Sequence, residues 1–241
     1  MTNLDKNGSI LDPYENFIAL SRYARWLEDE GRRETWAESV DRVVNFFEKD
    51  LKERMGYDVP KAKLEQIREA IKNREVMPSM RVMMTAGPAL ERNHIAAYNC
   101  SYLPVDDLRA FDETLLILMQ GTGLGFSVAQ HHVEKLPAVA DEVNPSTITI
   151  KVGDSKEGWA EAYRMLVSLL WDGYVPECDV SDVRPAGARL RTFGGRASGP
   201  QPLLDLFHVD AEVGRPGQRV VRADRVQILA VTRRCGVGHH E

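Results

Sequence analysis

The chain is 241 residues long, 43% hydrophobic and 28% charged. That balance excludes wholesale disorder, and a chain of this size buries roughly 70% or more of its unfolded surface, in one sizeable core or two small ones. Lys plus Arg (31) against Asp plus Glu (36) leaves a net charge of −5, so no global positive field exists to hold a nucleic-acid backbone, and nucleic acid is excluded as a general partner.

The start, Met1–Ile10, is polar, without the basic-then-apolar pattern of a signal peptide, and no apolar run approaches about 18 residues. No membrane association is expected, and the expected location is cytoplasmic. The three cysteines, Cys100, Cys178 and Cys235, are too few and too widely spaced for a disulfide framework, and none forms C-x-x-C. They indicate a reducing compartment.

From Pro13 to about Arg74 apolar residues recur at helical spacing between start and stop signals, which predicts an N-terminal helical region over residues 1–75. Its clearest helix opens on Thr35 and Glu38, a T-x-x-E capping box. It carries Trp36, Val40, Val43, Val44, Phe47 and Leu51 as an inward stripe, turns Asp41, Arg42, Glu48, Lys49 and Lys52 outward, and ends at Gly56. A further helix is predicted from about Val59 to Arg74, with Leu64, Ile67 and Ile71 buried.

Beyond Pro78 the text breaks into short apolar stretches punctuated by Gly, Pro and Asn, which places a boundary near residue 75. A helix is predicted over Asp107–Gln120, burying Phe111, Leu115, Leu118 and Met119. The run Gly121–Gly125 then leads into a strand at Phe126–Val128, and another strand alternates through Ile148, Ile150 and Val152. Asp154 and Glu157 open a long helix with Trp159, Ala162, Leu166, Leu169 and Leu170 inside. Helices alternating with strands predict an α/β layer or barrel. Residues 173–200 show no periodicity and read as a long loop of the functional or disordered kind.

Several constellations carry possible chemistry. The glycines of Gly121–Gly125 either bring backbone N–H groups against a phosphate or sugar, or simply form a tight helix-to-strand turn. They form neither a Walker loop nor a dinucleotide fingerprint, because no Lys-Ser/Thr follows and the order runs helix to strand. Gly194, Gly195 and Arg196, with Arg184, Arg189 and Arg191, offer donors for an anion or form a solvated basic loop. Cys100, in Tyr98–Tyr102 at a strand entering the second region, is a small core residue or a reagent. His131 and His132 point to opposite faces if they lie on a strand, and no metal site is expected from them or from His239 and His240.

The ordered set Val76–Arg81, Tyr98–Tyr102, Phe111–Thr114, Gly121–Val128, Asp154–Trp159, Arg184–Gly187 and Thr192–Pro200 resembles the N-terminal part of adenosylcobalamin-dependent (class II) ribonucleotide reductases of the monomeric, ribonucleoside-triphosphate-reducing type. The resemblance covers about residues 13 to 207. It implies the first part of an α/β barrel, with effector and substrate loops over 76–207, behind the helical region. It also implies reduction of the ribose 2′-hydroxyl by radical chemistry in the supply of deoxyribonucleotides for DNA synthesis. Adenosylcobalamin is the implied cofactor. Ribonucleoside triphosphates, deoxynucleoside triphosphate effectors and thioredoxin or another dithiol are the implied partners.

Residue by residue, the resemblance makes Cys100 the first of two reducing cysteines. Asn99, Thr122 and Gly123 become substrate contacts, with Ser79 and Arg81 at the same rim. Asp107, Arg184, Arg189, Gly194, Gly195 and Arg196 fall in effector positions, the last five in a loop that links effector identity to substrate choice.

The family's thiyl-forming cysteine, the disulfide partner of Cys100 and most cobalamin contacts have no counterpart in this text, and residues 208–241 depart from the family pattern. The expectation is an N-terminal fragment with an out-of-frame tail, inactive on its own. Two alternatives stand beside it: a non-catalytic effector-binding fragment, and one half of a split reductase whose C-terminal half is a separate chain.

Overall fold

The structure, a computed structural model, describes residues 12–190 and 195–213, with side chains through residue 208. The tail beyond Val213, with Cys235, His239 and His240, lies outside the described residues, as do Met1–Ile10, Arg191 and Gly194. The chain forms two compact units that meet in sequence at Tyr98 and Asn99. That junction comes later than the change of texture near residue 75. The punctuated stretch 76–98 belongs with the N-terminal helices because Met83, Ala86, Leu90 and Ala96 are buried in the same core as Trp36 and Val40.

In the first unit, α1 (Pro13–Ile18) starts under a reciprocal capping box between Asp12 and Glu15 and widens into a π-turn over Ala19–Tyr23. A short antiparallel hairpin follows, β1 (Trp26–Leu27) with β2 (Arg32–Arg33), in a stretch the sequence pattern assigns to helix. α2 (Trp36–Met55) begins at the Thr35–Glu38 capping box and ends on Gly56, which takes the left-handed conformation at φ 65. Arg32 grips Glu38 with two bonds of 2.7 Å.

Two readings of α2 need correction. Phe46, not Phe47, enters the core, and Phe47 sits edge-on against it, 40% exposed. Arg42 is turned inward, not outward, and pairs with the buried Glu34 at 2.8 Å. α3 (Lys61–Lys72) buries Leu64 and Ile71, whose heptad spacing keeps both on one seam, while Ile67 stands 40% exposed. α4 (Met80–Thr85), α5 (Pro88–Arg92) and a 3₁₀ turn at His94–Ala97 complete the unit.

The second unit is α/β, as expected, and its strands form two separate parallel pairs rather than a closed barrel among the described residues. β3 (Cys100–Pro104) pairs with β4 (Gly123–Ser127) across α6 (Arg109–Met119). β5 (Asn144–Lys151) pairs with β6 (Tyr174–Asp179) across α8 (Lys156–Trp171). A parallel pair requires such a crossover, usually a helix.

Four features of the second unit differ from the sequence pattern. β6 falls in a stretch without periodicity because Pro176 interrupts it and a register break opposite, between Pro145 and Thr149, spoils alternation. Ile148 is 43% exposed although Ile150 and Val152 are fully buried. α8 is capped by Ser155, whose hydroxyl accepts from the Gly158 N–H at 2.9 Å, which frees Asp154 for another partner. His131 and His132 lie on a short helix, α7 (Gln130–Val133), with ring centroids 4.0 Å apart, and not on a strand.

α9 (Gln201–Val213) closes the second core with Leu203, Leu206 and Phe207, each contributing about 1.5–3 kcal/mol by burial. On α6 only Leu115 of the expected inner residues is fully buried, while Phe111, Leu118 and Met119 are half-buried. No helix among the described residues is long and apolar enough to cross a membrane.

Gly158 lies within the first turn of α8, where a Cβ would come within 2.7 Å of the Gly153 carbonyl oxygen. In an open helix Gly→Ala gains about 1 kcal/mol. Here Gly158→Ala is expected to lose about 1–3 kcal/mol through overpacking, read as a lower urea midpoint.

Glu38 is held down to about 2, first by its hydrogen bonds from Arg32 and then by the Thr35 cap. Its folded-state value is depressed, so its contribution is present above the ordinary carboxylate range and is lost as pH falls through about 2. The gap in Tm between wild type and Glu38→Gln is therefore expected to close between pH 5 and pH 2; a gap that stays constant would remove the ion pair from the account.

Candidate functional site

The register of β3 and β4 builds the first cluster. Cys100 lies opposite Gly123 and Tyr102 opposite Gly125, and these four residues form the exposed face of the pair. Leu103 is buried, and Leu124 and Phe126 are half-buried against the small core below. The glycines expected in a turn therefore lie largely within the strand. Gly121 alone makes the turn, at φ 79.

Gly123 donates its N–H to the Asn99 carbonyl at 2.8 Å, and a Cβ at that position would stand 3.4 Å from the same oxygen. Beside Cys100 the neighbouring strand thus presents bare backbone. Ser101 Oγ donates to the Gly123 carbonyl at 3.2 Å and ties the two strands behind it. Thr122 is 1% exposed, so its hydroxyl is withdrawn from this face.

The structure brings Asn99, Cys100 and Gly123 together and places Ser79 and Arg81 in the other unit. Ser79 precedes α4, exposed and with no side-chain cap bond. Arg81 is half-buried, and burial pulls its guanidinium below the ordinary arginine value.

The residues expected around an effector divide by what already engages them. Asp107 is exposed, and its carboxylate accepts the Arg109 N–H at 2.8 Å in the first turn of α6. Arg184 is not a free donor: its Nε reaches both carboxylate oxygens of Asp154 at 2.9 Å, and this bond holds Asp154 below the usual carboxylate range.

Arg189 and Arg196 face each other across an antiparallel bridge. Backbone bonds from Leu190 to Gly195 at 3.0 Å and from Ala197 to Ala188 at 2.7 Å hold that bridge, with Gly195 at φ 86. Arg196 also donates to the Gly187 carbonyl at 2.9 Å.

Sequence reasoning passed over two polar ties between α6 and α8. Lys156 Nζ donates to Gln120 Oε1 at 3.0 Å, and Arg164 Nε stands 3.9 Å from Asp112. Burial pushes the Asp112 carboxyl up, against the pull of Arg164 and Arg109. Asp112 lies in the quoted run Phe111–Thr114, and its polarity on the inward face of a helix was the available signal. Among the described residues no group of three or more His, Cys, Asp or Glu is placed to hold a metal ion.

The two described cysteines differ in setting. Cys100 is exposed. Cys178, on β6, packs against the second core, and burial, then the Asp179 charge, pushes its thiol up.

Comparison with known proteins places these features. Residues 5–86 match the family described as "Ribonucleotide reductase alpha domain", and residues 119–213 match "B12-dependent ribonucleotide reductase, insertion domain". The adenosylcobalamin-dependent ribonucleoside-triphosphate reductase of Lactobacillus helveticus is 26% identical over 275 residues, covering 86% of this chain and 37% of that protein. The enzyme of the same name from Lactobacillus leichmannii is 28% identical over 270 residues, covering 86% and 36%. A crystal structure of a B12-dependent (class II) ribonucleotide reductase superposes with a TM-score of 0.71 at 25% identity, over 81% of this chain and 36% of that one. The chain spans little more than a third of the length of the relatives it matches.

An exposed thiolate reacts faster than one that is buried and raised in pKa. Iodoacetamide is therefore expected to label Cys100 of the folded chain at least about tenfold faster than Cys178, measured by peptide mass spectrometry; equal rates would contradict the placement of Cys100 on the open face.

Proposed function

The chain belongs to the B12-dependent (class II) ribonucleotide reductase family, and on that premise we propose that it serves the reduction of ribonucleoside triphosphates to 2′-deoxyribonucleoside triphosphates. The observation that carries this reading is the exposed thiol of Cys100 set against the side-chain-free backbone of Gly123. From the Gly123 side a ribose can approach the sulfur over bare backbone.

In the proposed reaction the 2′-hydroxyl leaves as water, and two thiols supply two electrons and become a disulfide. Cys100 is one of those thiols. Cys178, packed into the second core, is not the other. Thioredoxin or another dithiol returns the disulfide to the reduced state. Asn99 and the backbone at Thr122 and Gly123 orient the sugar; Ser79 and Arg81, in the first unit, are assigned to the nucleotide on the family resemblance alone. Adenosylcobalamin supplies the radical when bound. None of the described residues is assigned to it.

The effector reading rests on the opposed Arg189 and Arg196. Guanidinium groups carried on neighbouring backbone segments suit the phosphates of a deoxynucleoside triphosphate. Asp107, at the start of α6, takes a hydrogen-bonding group of the same ligand. Arg184 holds the base of the segment through Asp154, and Gly195, at φ 86, lets its backbone approach; Gly194 lies outside the described residues.

Equilibrium dialysis of the whole chain with deoxynucleoside triphosphates tests this assignment. Arg189→Glu and Arg196→Glu are each expected to weaken binding by about tenfold or more, the scale of a lost charge-assisted hydrogen bond. Unchanged affinity in both variants, or no binding by the wild type at millimolar ligand, would remove the effector role from this segment.

A further inference from the structure

α4 is six residues long, shorter than a helix that is stable on its own in water. It also ends abruptly. Ala86 turns extended at ψ 134 and Gly87 follows at φ 105, so no further helical turn takes up the last carbonyls.

Two guanidinium groups take them instead. Arg42, from α2, donates through Nη1 to the Ala86 carbonyl at 2.9 Å and through Nη2 to the Met83 carbonyl at 3.0 Å. Arg25, just before β1, donates through Nη2 to the Met84 carbonyl at 2.9 Å. Cations at this end of a helix also meet the negative pole of its dipole. Arg42 reaches in addition the Tyr23 carbonyl at the end of the π-turn, at 3.0 Å.

Glu34 is the centre on which these groups converge, and it is 5% exposed. It accepts from Arg42 Nε at 2.8 Å and Nη2 at 3.0 Å, from the Arg25 backbone N–H at 3.1 Å and from the Ser39 hydroxyl at 3.0 Å. A carboxylate buried to this degree is tolerated because its lone pairs are taken up. The result is one network that joins the β1–β2 hairpin, α2, the π-turn and the C-terminal end of α4. At the opposite end of α4 stand Ser79 and Arg81.

We infer that Glu34, Arg42 and Arg25 are a clamp that fixes α4 from its C-terminal end and thereby sets the position of Ser79 and Arg81. Arg42 and Arg25 are positioning residues, acting through α4 and not by contact with the nucleotide. This inference rests on the proposed role of Ser79 and Arg81 at the substrate. It needs a planar fork at position 42: a lysine keeps a cation for Glu34 but donates from a single point, and cannot span the Ala86, Met83 and Tyr23 carbonyls together.

Hydrogen exchange on the whole chain tests the clamp without a ligand. In Arg42→Lys the amides of Met83 and Ala86, bonded to Ser79 and Val82 carbonyls at 3.0 and 2.9 Å, are expected to exchange about tenfold faster or more, with α2 and α3 little changed. Val43→Ala, which trims the same core without touching the network, is expected to speed all three helices together. Should Arg42→Lys fail to fold, Arg25→Lys, which loses the Met84 contact, is expected to show the same local signature more weakly. Uniform acceleration, or unchanged exchange in α4, would overturn the clamp.

A second arm measures ATP affinity. Arg42→Lys is expected to weaken ATP binding as Ser79→Ala does, while Val43→Ala leaves it intact; ATP affinity equal to wild type in Arg42→Lys would overturn the positioning role. Failure of the wild type to bind ATP would instead count against the substrate reading, and the exchange rates would still decide the clamp.

Discussion

Two strands that run parallel cannot be joined by a tight turn, so each pair in the second unit encloses a helix, and most of that unit follows from this constraint. α6 lies between β3 and β4, and α8 between β5 and β6. Asp112 meets Arg164, and Gln120, just past the end of α6, meets Lys156 at the start of α8, so the two crossovers run antiparallel and share a seam. The same pairing sets Cys100 opposite Gly123. With a helix covering only one side of each pair, the other face of β3 and β4 is left open, and that is where the thiol stands.

The first unit answers a different demand, which is to bury Glu34 and Arg42 with each carboxylate oxygen and each guanidinium nitrogen engaged. A buried ion pair repays its desolvation only when its remaining polar positions are satisfied. Here the carbonyls at the end of α4 and of the π-turn do that. Those carbonyls in turn lack helical partners because both turns end abruptly, so short helices and a buried charge complete one another. The clamp lies in the part of the chain that matches the reductase alpha domain, residues 5–86, and the open thiol lies in the second unit.

Several signals that act within one segment match the structure. The Thr35–Glu38 box, the Gly56 stop and the burial of Leu64, Ile71, Ile150 and Val152 all depend on neighbours within a few residues. Alternating helices and strands identified the α/β class. The pattern failed where a distant partner decides the outcome. Arg42 resembles a surface residue until Glu34 and the α4 carbonyls are assembled around it. Arg184 resembles a free anion donor until Asp154 arrives from the loop before α8. β6 has no period of its own because a broken register against β5 shapes it.

The residues of the candidate site were nameable from sequence, yet their arrangement was not. Composition and spacing alone pointed to a folded α/β chain with few cysteines, and left Cys100, the glycines after α6 and the arginines near residue 190 open between a structural and a chemical role until the family resemblance singled them out. Only the tertiary structure decided which of these meet. Strand register put bare backbone beside Cys100, cross-strand pairing opposed Arg189 to Arg196, and the α8 loop took Arg184 out of the reckoning. The physical reason is that capping and periodicity act over a few residues of one segment, whereas register and ion pairing depend on which segments the buried cores bring side by side.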